Sequence, residues 1–184
     1  VKTGIPLEEV TAKERQAAKA VNFGLIYGMG LKGLRNYAYS KYEVTMSLEQ
    51  AYRFIQRYFD FYKGVNEWQR NTTQGNIKET RTILGRRRLW TDIPKVTELL
   101  NSPIQGTAAD IIKEALVMLM KEIDDDDCKL VGCVHDEIIL ETPECMAEQA
   151  AIVLTHAMKH AGSKYLMSIP VLVDVRIANN WSEK

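Results

Sequence analysis

Apolar residues along the chain follow two rhythms: intervals of three and four that mark helices, and alternation that marks short strands. Thr11-Ala12-Lys13-Glu14 has the form of a capping box, in which a Thr hydroxyl and a Glu three residues on satisfy each other's backbone amides. The pattern predicts a helix from about Ala12 through Ala17, Ala18, Val21 and Leu25 to Tyr27, with Gly28-Met29-Gly30 as its stop. Ser47-Leu48-Glu49-Gln50 is a second start of the same kind. Ala51, Phe54, Ile55, Tyr58, Phe59 and Phe61 follow at helical spacing and Gly64 is expected to end the run. A further helix is predicted over 65–78. Residues 80–90 then read as two short strands joined at Leu84-Gly85-Arg86, a hairpin carrying four arginines.

Residues 95–122 are helical by pattern, with Ser102-Pro103 and Gly106 expected to kink or split the element. The acidic run 124–127 closes it and reads as a solvated loop, because adjacent carboxylates at a helix C-terminus repel each other and the dipole. Apolar runs over 129–134 and 138–141, separated by His135-Asp136-Glu137, predict a second hairpin. A helix over 144–161 (Met146, Ala150, Val153, Ala157) and a last strand over 171–177 complete the chain. There is no internal repeat. Helices first and antiparallel strands later make an α+β pattern, without the alternation of a doubly wound sheet.

Composition narrows the classes. The 184 residues are 46% hydrophobic and 26% charged, which excludes collagen-like, coiled-coil and disordered chains. Neither a signal peptide nor an apolar run long enough to span a bilayer is evident, so a cytoplasmic protein that engages no membrane is expected. Cys128, Cys133 and Cys145 lack C-x-x-C spacing and read as reduced packing residues. Net charge is zero, but residues 1–123 hold 19 Lys/Arg against 13 Asp/Glu, and residues 124–184 hold 5 against 11. Such asymmetry suits a basic surface facing an anion, although chance sorting of charge along helices produces it too.

Arg15, Lys19, Phe23 and Tyr27 are spaced four apart on the first helix. Each step drifts only about 40° around the axis, so the four form one stripe about 18 Å long, the length of a nucleotide. Two cations near the positive end of the helix dipole favour a polyphosphate, and two rings offer flat faces to a sugar and a base. Taken alone, the same stripe also describes a solvated basic face followed by two core aromatics. On the second hairpin, Asp136 and Glu137 place two carboxylates at a strand end, the oxygen donors that a hard cation such as Mg2+ takes. As an isolated tetrapeptide, Val134-His135-Asp136-Glu137 is equally an ordinary polar turn.

The fourteen residues from Arg15 to Gly28 resemble motif B of the family A DNA polymerases, and Val134-His135-Asp136-Glu137 resembles motif C of the same family, in the same order and hairpin context. The resemblance implies that Arg15 and Lys19 hold the phosphates of an incoming dNTP, that Phe23 packs on the sugar, and that Tyr27 stacks at the template base. Phe23, where some members carry tyrosine, implies discrimination against sugars lacking a 3′-hydroxyl. Asp136 would be a metal ligand, Glu137 a neighbouring catalytic carboxylate and His135 a primer-terminus contact. Gln105-Gly106-Thr107-Ala108-Ala109-Asp110 is similar to a palm-helix segment of the family. Asn101 and Gln105 would there meet the minor groove, whose acceptors look alike on all base pairs. Gly85-Arg86-Arg87-Arg88 resembles a segment near the nucleic-acid backbone, with Arg86 and Arg87 as DNA contacts, although arginines on a hairpin also make a solvated edge.

The fold so implied is a helical fingers subdomain over 1–93 followed by part of an antiparallel-sheet palm over 94–184. The activity is template-directed transfer of a deoxynucleotide from dNTP to a primer 3′-hydroxyl, with two Mg2+ ions as cofactor. Primer-template DNA is the implied partner. The family's other metal-binding aspartate belongs to a motif A that is not found between Val1 and Lys184, so an upstream polymerase segment bearing motif A and the thumb is expected, and the isolated chain is expected to be inactive. Cys133 and Gln16 also depart from the family pattern, and the connection from Gly85 to Gln105 is short beside bacterial members. Two other readings remain: a non-catalytic DNA-binding remnant or half of a split polymerase, and an unrelated metal-dependent hydrolase.

Overall fold

The computed structural model describes residues 9–123 and 127–183. The acidic residues 124–126 lie outside that range. The chain forms two compact units, one of residues up to Thr80 together with Arg87–Pro103, the other of Arg81–Arg86 together with the residues from Ile104 onward. The class is α+β: six α-helices and two two-stranded antiparallel hairpins among the described residues.

In the first unit, α1 (Ala12–Ile26), α2 (Leu31–Tyr42), α3 (Leu48–Phe61) and α4 (Lys63–Thr73) follow one another closely. Both predicted capping boxes form. Thr11 and Glu14 exchange hydrogen bonds at the start of α1, and Ser47 and Gln50 do so at the start of α3. Ala20, Val21 and Leu25 of α1 pack with Leu34 and Ala38 of α2, Ala51 and Tyr58 of α3, and Val44 and Met46 between them. Gly24 permits the tight approach of α2, since a Cβ there would sit 2.9 Å from Leu34 Cδ1.

Several elements depart from expectation. Helix α2 was not predicted: Gly30 caps it without a side-chain bond, and only Leu34 and Ala38 of its twelve residues are buried, so no strong stripe marks it. Gly64 does not terminate α3. Tyr62 ends α3 and begins α4, and Gly64 sits in the first turn of α4, where an unpaired amide costs least. Helix α5 (Val96–Glu122) runs through Ser102, Pro103 and Gly106 as one element, and the division between the two units falls immediately after Pro103. The first hairpin is β1 (Glu79–Arg81) and β2 (Arg87–Leu89), turning at Gly85 with φ +86°.

In the second unit, β3 (Lys129–Val134) pairs with β4 (Glu137–Glu141). Leu130 faces Leu140 and Gly132 faces Ile139, so Val131 is an extra residue, a β-bulge that adds local twist. Ile138 of this hairpin packs with Ala115 and Leu119 of α5 and with Leu154, Ala157 and Ala161 of α6 (Ala147–Leu166), which follows a short 3-10 turn over Glu144–Met146. Residues 171–177 are not a strand. Val171, Val173 and Val175 are half-buried while Leu172, Asp174 and Arg176 are exposed, the expected alternation, but among the described residues no second strand pairs with them and a ladder needs two. Of the three cysteines only Cys128 is buried; Cys133 and Cys145 are exposed, so packing accounts for one of them. No described helix is long and apolar enough to cross a membrane.

Candidate functional site

Helix α1 buries Ala20, Val21, Gly24 and Leu25 and turns Arg15, Lys19 and Phe23 to solvent. Phe23 is 49% exposed, which decides against a core aromatic. Neither Arg15 nor Lys19 has a carboxylate partner among the described residues, so both charges remain available to an anion. Tyr27 is half-buried at the C-terminal end of the stripe, and the end of α1 is held there by other segments of its own unit. The Gln69 side-chain amide donates to the carbonyls of Leu25 and Ile26 at 2.7 and 3.0 Å, satisfying acceptors that a helix end leaves open. Gly28 adopts φ +74°, and a Cβ on it would lie 2.6 Å from Leu100 Cδ1, so only glycine lets this turn rest on the first turns of α5.

Around that turn is a pocket of about 340 Å3, within the size range of small-molecule sites. Tyr27, Arg88, Thr97, Glu98 and Asn101 line it, so two residues singled out in the sequence, Tyr27 and Asn101, share one cavity. The sequence points to the neighbouring Arg86 and Arg87, whereas the arginine at the pocket is Arg88. Its guanidinium carbon lies 5.0 Å from the centre of the Trp90 ring, a cation–π contact that steadies it beside the pocket. Only its place in the Gly85-Arg86-Arg87-Arg88 run could have pointed to it. Gln69 left no signal, because its contacts are more than forty positions away.

The three arginines have different fates. Arg86 donates from Nε to Asp110 Oδ1 at 2.6 Å and from Nη2 to the Gly106 carbonyl at 3.1 Å. Gly106 makes room for this, since a Cβ would come within 2.7 Å of Thr82 Cγ2 and 3.3 Å of the guanidinium. Arg87 is exposed and makes a loose pair with Glu79 at 3.7 Å, a contact of the kind that contributes about 0–1 kcal/mol. Arg86 thus ties the hairpin turn to α5, whereas Arg87 leaves its charge accessible. Burial pushes the Asp110 carboxyl upward, but hydrogen bonds from Thr82 and Arg86 and the Arg86 and Lys113 charges outweigh that and hold it below the ordinary range. A depressed folded-state pKa stabilises the fold above the unfolded value, about 3.9, and the contribution is lost as pH falls through the folded value. Asp110→Asn should therefore lower the melting temperature at pH 7 and flatten its decline below about pH 4. Parallel melting curves for variant and parent would remove the pair from the fold's stability.

In the second unit, Val134 pairs with Glu137, leaving His135 and Asp136 as a two-residue turn. His135 has φ +56°, where glycine or asparagine is the default, at a cost of about 1 kcal/mol for another residue. Asp136 is exposed at the apex. Glu137 is half-buried, and its Oε1 accepts a hydrogen bond from Trp181 Nε1 at 2.7 Å. The two adjacent carboxylates are thus unequal: one projects to solvent and one is held by the C-terminal turn. One or two carboxylates plus substrate oxygens are what Mg2+ takes, so the pair fits part of such a site. Among the described residues no three metal-binding side chains converge. Gln105 is exposed on α5.

A sequence profile described as DNA polymerase family A matches residues 2–183. The DNA polymerase I of Aquifex aeolicus is 39% identical over 183 residues, covering 96% of this chain and 31% of that protein. The thermostable DNA polymerase I of Thermus thermophilus is 35% identical over 189 residues, covering 97% of this chain and 22% of the relative. Among solved structures, the POL domain of Pol1 from M. smegmatis in complex with DNA primer-template and dNTP superposes with a TM-score of 0.73 at 30% identity, over 86% of this chain and 29% of that one. The chain thus spans less than a third of the length of these relatives.

Proposed function

Since the chain belongs to DNA polymerase family A, we propose that it is the nucleotide-handling part of a polymerase that copies a DNA template, extending a primer 3′-hydroxyl from dNTP. Residues 1–93 correspond in this reading to the fingers and 94–184 to the C-terminal palm. The observation that carries the proposal is the exposed stripe Arg15–Lys19–Phe23 ending in Tyr27 at a pocket. A basic surface would bind any anion, but an exposed ring one turn beyond two cations with no acidic partner among the described residues, followed by a second ring at a cavity, suits a nucleoside triphosphate.

The residues divide the work by chemistry. Arg15 and Lys19 neutralise the triphosphate, with the α1 dipole adding to their field. Phe23 presents its face to the sugar, and Tyr27, with Asn101 beside it, meets the base pair being formed. Gln105, Arg87 and His135 contact the primer-template. Arg86 supports that surface through Asp110, by shaping the turn that leads to Arg87. Asp136 is the residue that would hold Mg2+, with Glu137 beside it; the ion when bound neutralises phosphate charge and polarises the attacking hydroxyl. A motif A aspartate upstream would supply the remaining donor. Positioning and charge stabilisation are what phosphoryl transfer asks of a protein.

The test uses the sugar-facing ring. In the complete polymerase, Phe23→Tyr should raise incorporation of 3′-deoxygenated nucleotides by about tenfold or more, because a phenol restores a hydrogen bond that the missing hydroxyl removes. Competition between 2′-deoxy and 2′,3′-dideoxy nucleotides measures it. Unchanged discrimination would take Phe23 away from the sugar and with it the alignment of the nucleotide along α1.

A further inference from the structure

Two of the chain's three histidines play no part in the nucleotide site. His156 and His160 are four residues apart on α6, in the pattern His156-Ala157-Met158-Lys159-His160. One helical turn separates them, so both project from the same face, and both are exposed. Their ring centres are 5.8 Å apart with planes at 61°, close enough for one ion to reach a nitrogen of each. Ala157 and Ala161 on the adjoining face of α6 are fully buried with Ala115 and Leu119 of α5. That packing brings two carboxylates of α5 to the rings: Glu122 Oε1 lies 3.8 Å from His156 Nδ1, and Glu114 is within electrostatic reach of His160.

We propose that His156 and His160 form a binding site for a divalent transition metal of the imidazole-preferring kind, Cu2+, Ni2+ or Zn2+. A His-x3-His pair on a helix is a bidentate chelate whose geometry the backbone hydrogen bonds fix beforehand. Glu122 Oε1, 3.8 Å from His156 Nδ1, places a negative charge beside the pair that favours a bound cation. Water completes the coordination, since among the described residues no third side chain joins the pair in a cluster. Imidazole nitrogen discriminates against Mg2+, which prefers oxygen donors and keeps its water. The site is therefore chemically separate from the carboxylates at Asp136, and the proposal does not depend on the polymerase reading.

Titration calorimetry of the untagged protein with Zn2+ and with Cu2+, in a large excess of Mg2+, tests it. The expected result is one equivalent bound, Cu2+ more tightly than Zn2+. His156→Gln and His160→Gln should each weaken binding by at least about tenfold, and Glu122→Gln by a smaller factor. His135→Gln, which removes the remaining histidine of the chain, should leave the affinity unchanged. Both replaced imidazoles are exposed, and equal metal-free melting temperatures would show that the variants are folded. No binding by the parent, binding that survives either α6 substitution, or displacement by Mg2+ would each overturn the site.

Discussion

Asp136→Ala is expected to abolish primer extension by the complete polymerase while its affinity for primer-template DNA changes no more than a few-fold. The side chain is exposed at the apex of a two-residue turn, so its removal leaves no cavity and breaks no packing of the hairpin. What it removes is an oxygen donor and a negative charge at the end of β3. Losing a group that stabilises charge at the reacting centre costs about 10²–10³ in rate, and losing an ion's ligand costs more where the ion is itself essential. Single-turnover extension measured beside a DNA-binding titration separates the two effects. Extension within about tenfold of the parent would rule out the assignment of Asp136 as metal ligand. Glu137→Gln offers a contrast: the acceptor for Trp181 survives in the amide, so local structure should persist whatever happens to the rate.

The second large effect concerns Lys19. Lys19→Ala should lower kcat/KM for dNTP by about ten- to a hundredfold, the worth of one charged hydrogen bond to phosphate, and leave the melting temperature unchanged. Lys19 is exposed and has no acidic partner among the described residues, so its charge is free for a ligand. Nucleotide-concentration dependence of incorporation reads it. A variant with unaltered kcat/KM would show that the basic end of α1 does not meet the triphosphate.

Much of this arrangement was legible because the signals are local. The capping boxes at Thr11 and Ser47 involve residues three apart, and both form. The hairpin over 129–141 announces itself by apolar runs around a polar turn. Helix α2 leaves little trace in the sequence because a Gly N-cap carries no side-chain signature and two buried residues make too narrow a stripe. Gly64 misled because glycine stops a helix only where the chain needs a left-handed residue, and Tyr62 had already broken it. Residues 171–177 show the limit of alternation, which reports a two-faced extended segment and says nothing about whether a partner strand is present.

Within the candidate site the stripe on α1 could be drawn from spacing alone, yet whether Phe23 pointed into the core depended on where α2 and α3 packed. The fate of Arg86 was unreadable for a related reason: Asp110 is 24 positions away, and nothing local distinguishes Arg86 from Arg87. The hydrogen bond from Trp181 to Glu137 spans 44 positions and makes two adjacent carboxylates unlike each other. Pairings of this kind follow from tertiary packing, which no short window of sequence contains.

The bulge at Val131 also bears on how the hairpin tolerates changes of length. Because Val131 has no partner of its own, β3 holds one residue more than its ladder requires. A chain lacking it could keep Lys129 opposite Glu141 and Val134 opposite Glu137, and His135-Asp136 would remain a two-residue turn. Deletion of a residue within β4 has no such slack to draw on, and the register would slide until Asp136 left the apex. A scan of single-residue deletions across 129–141 should accordingly find one window that still permits folding, at Val131 and Gly132, with some loss of twist at the turn. Deletions in this hairpin should therefore be tolerated only in the strand that precedes the acidic turn.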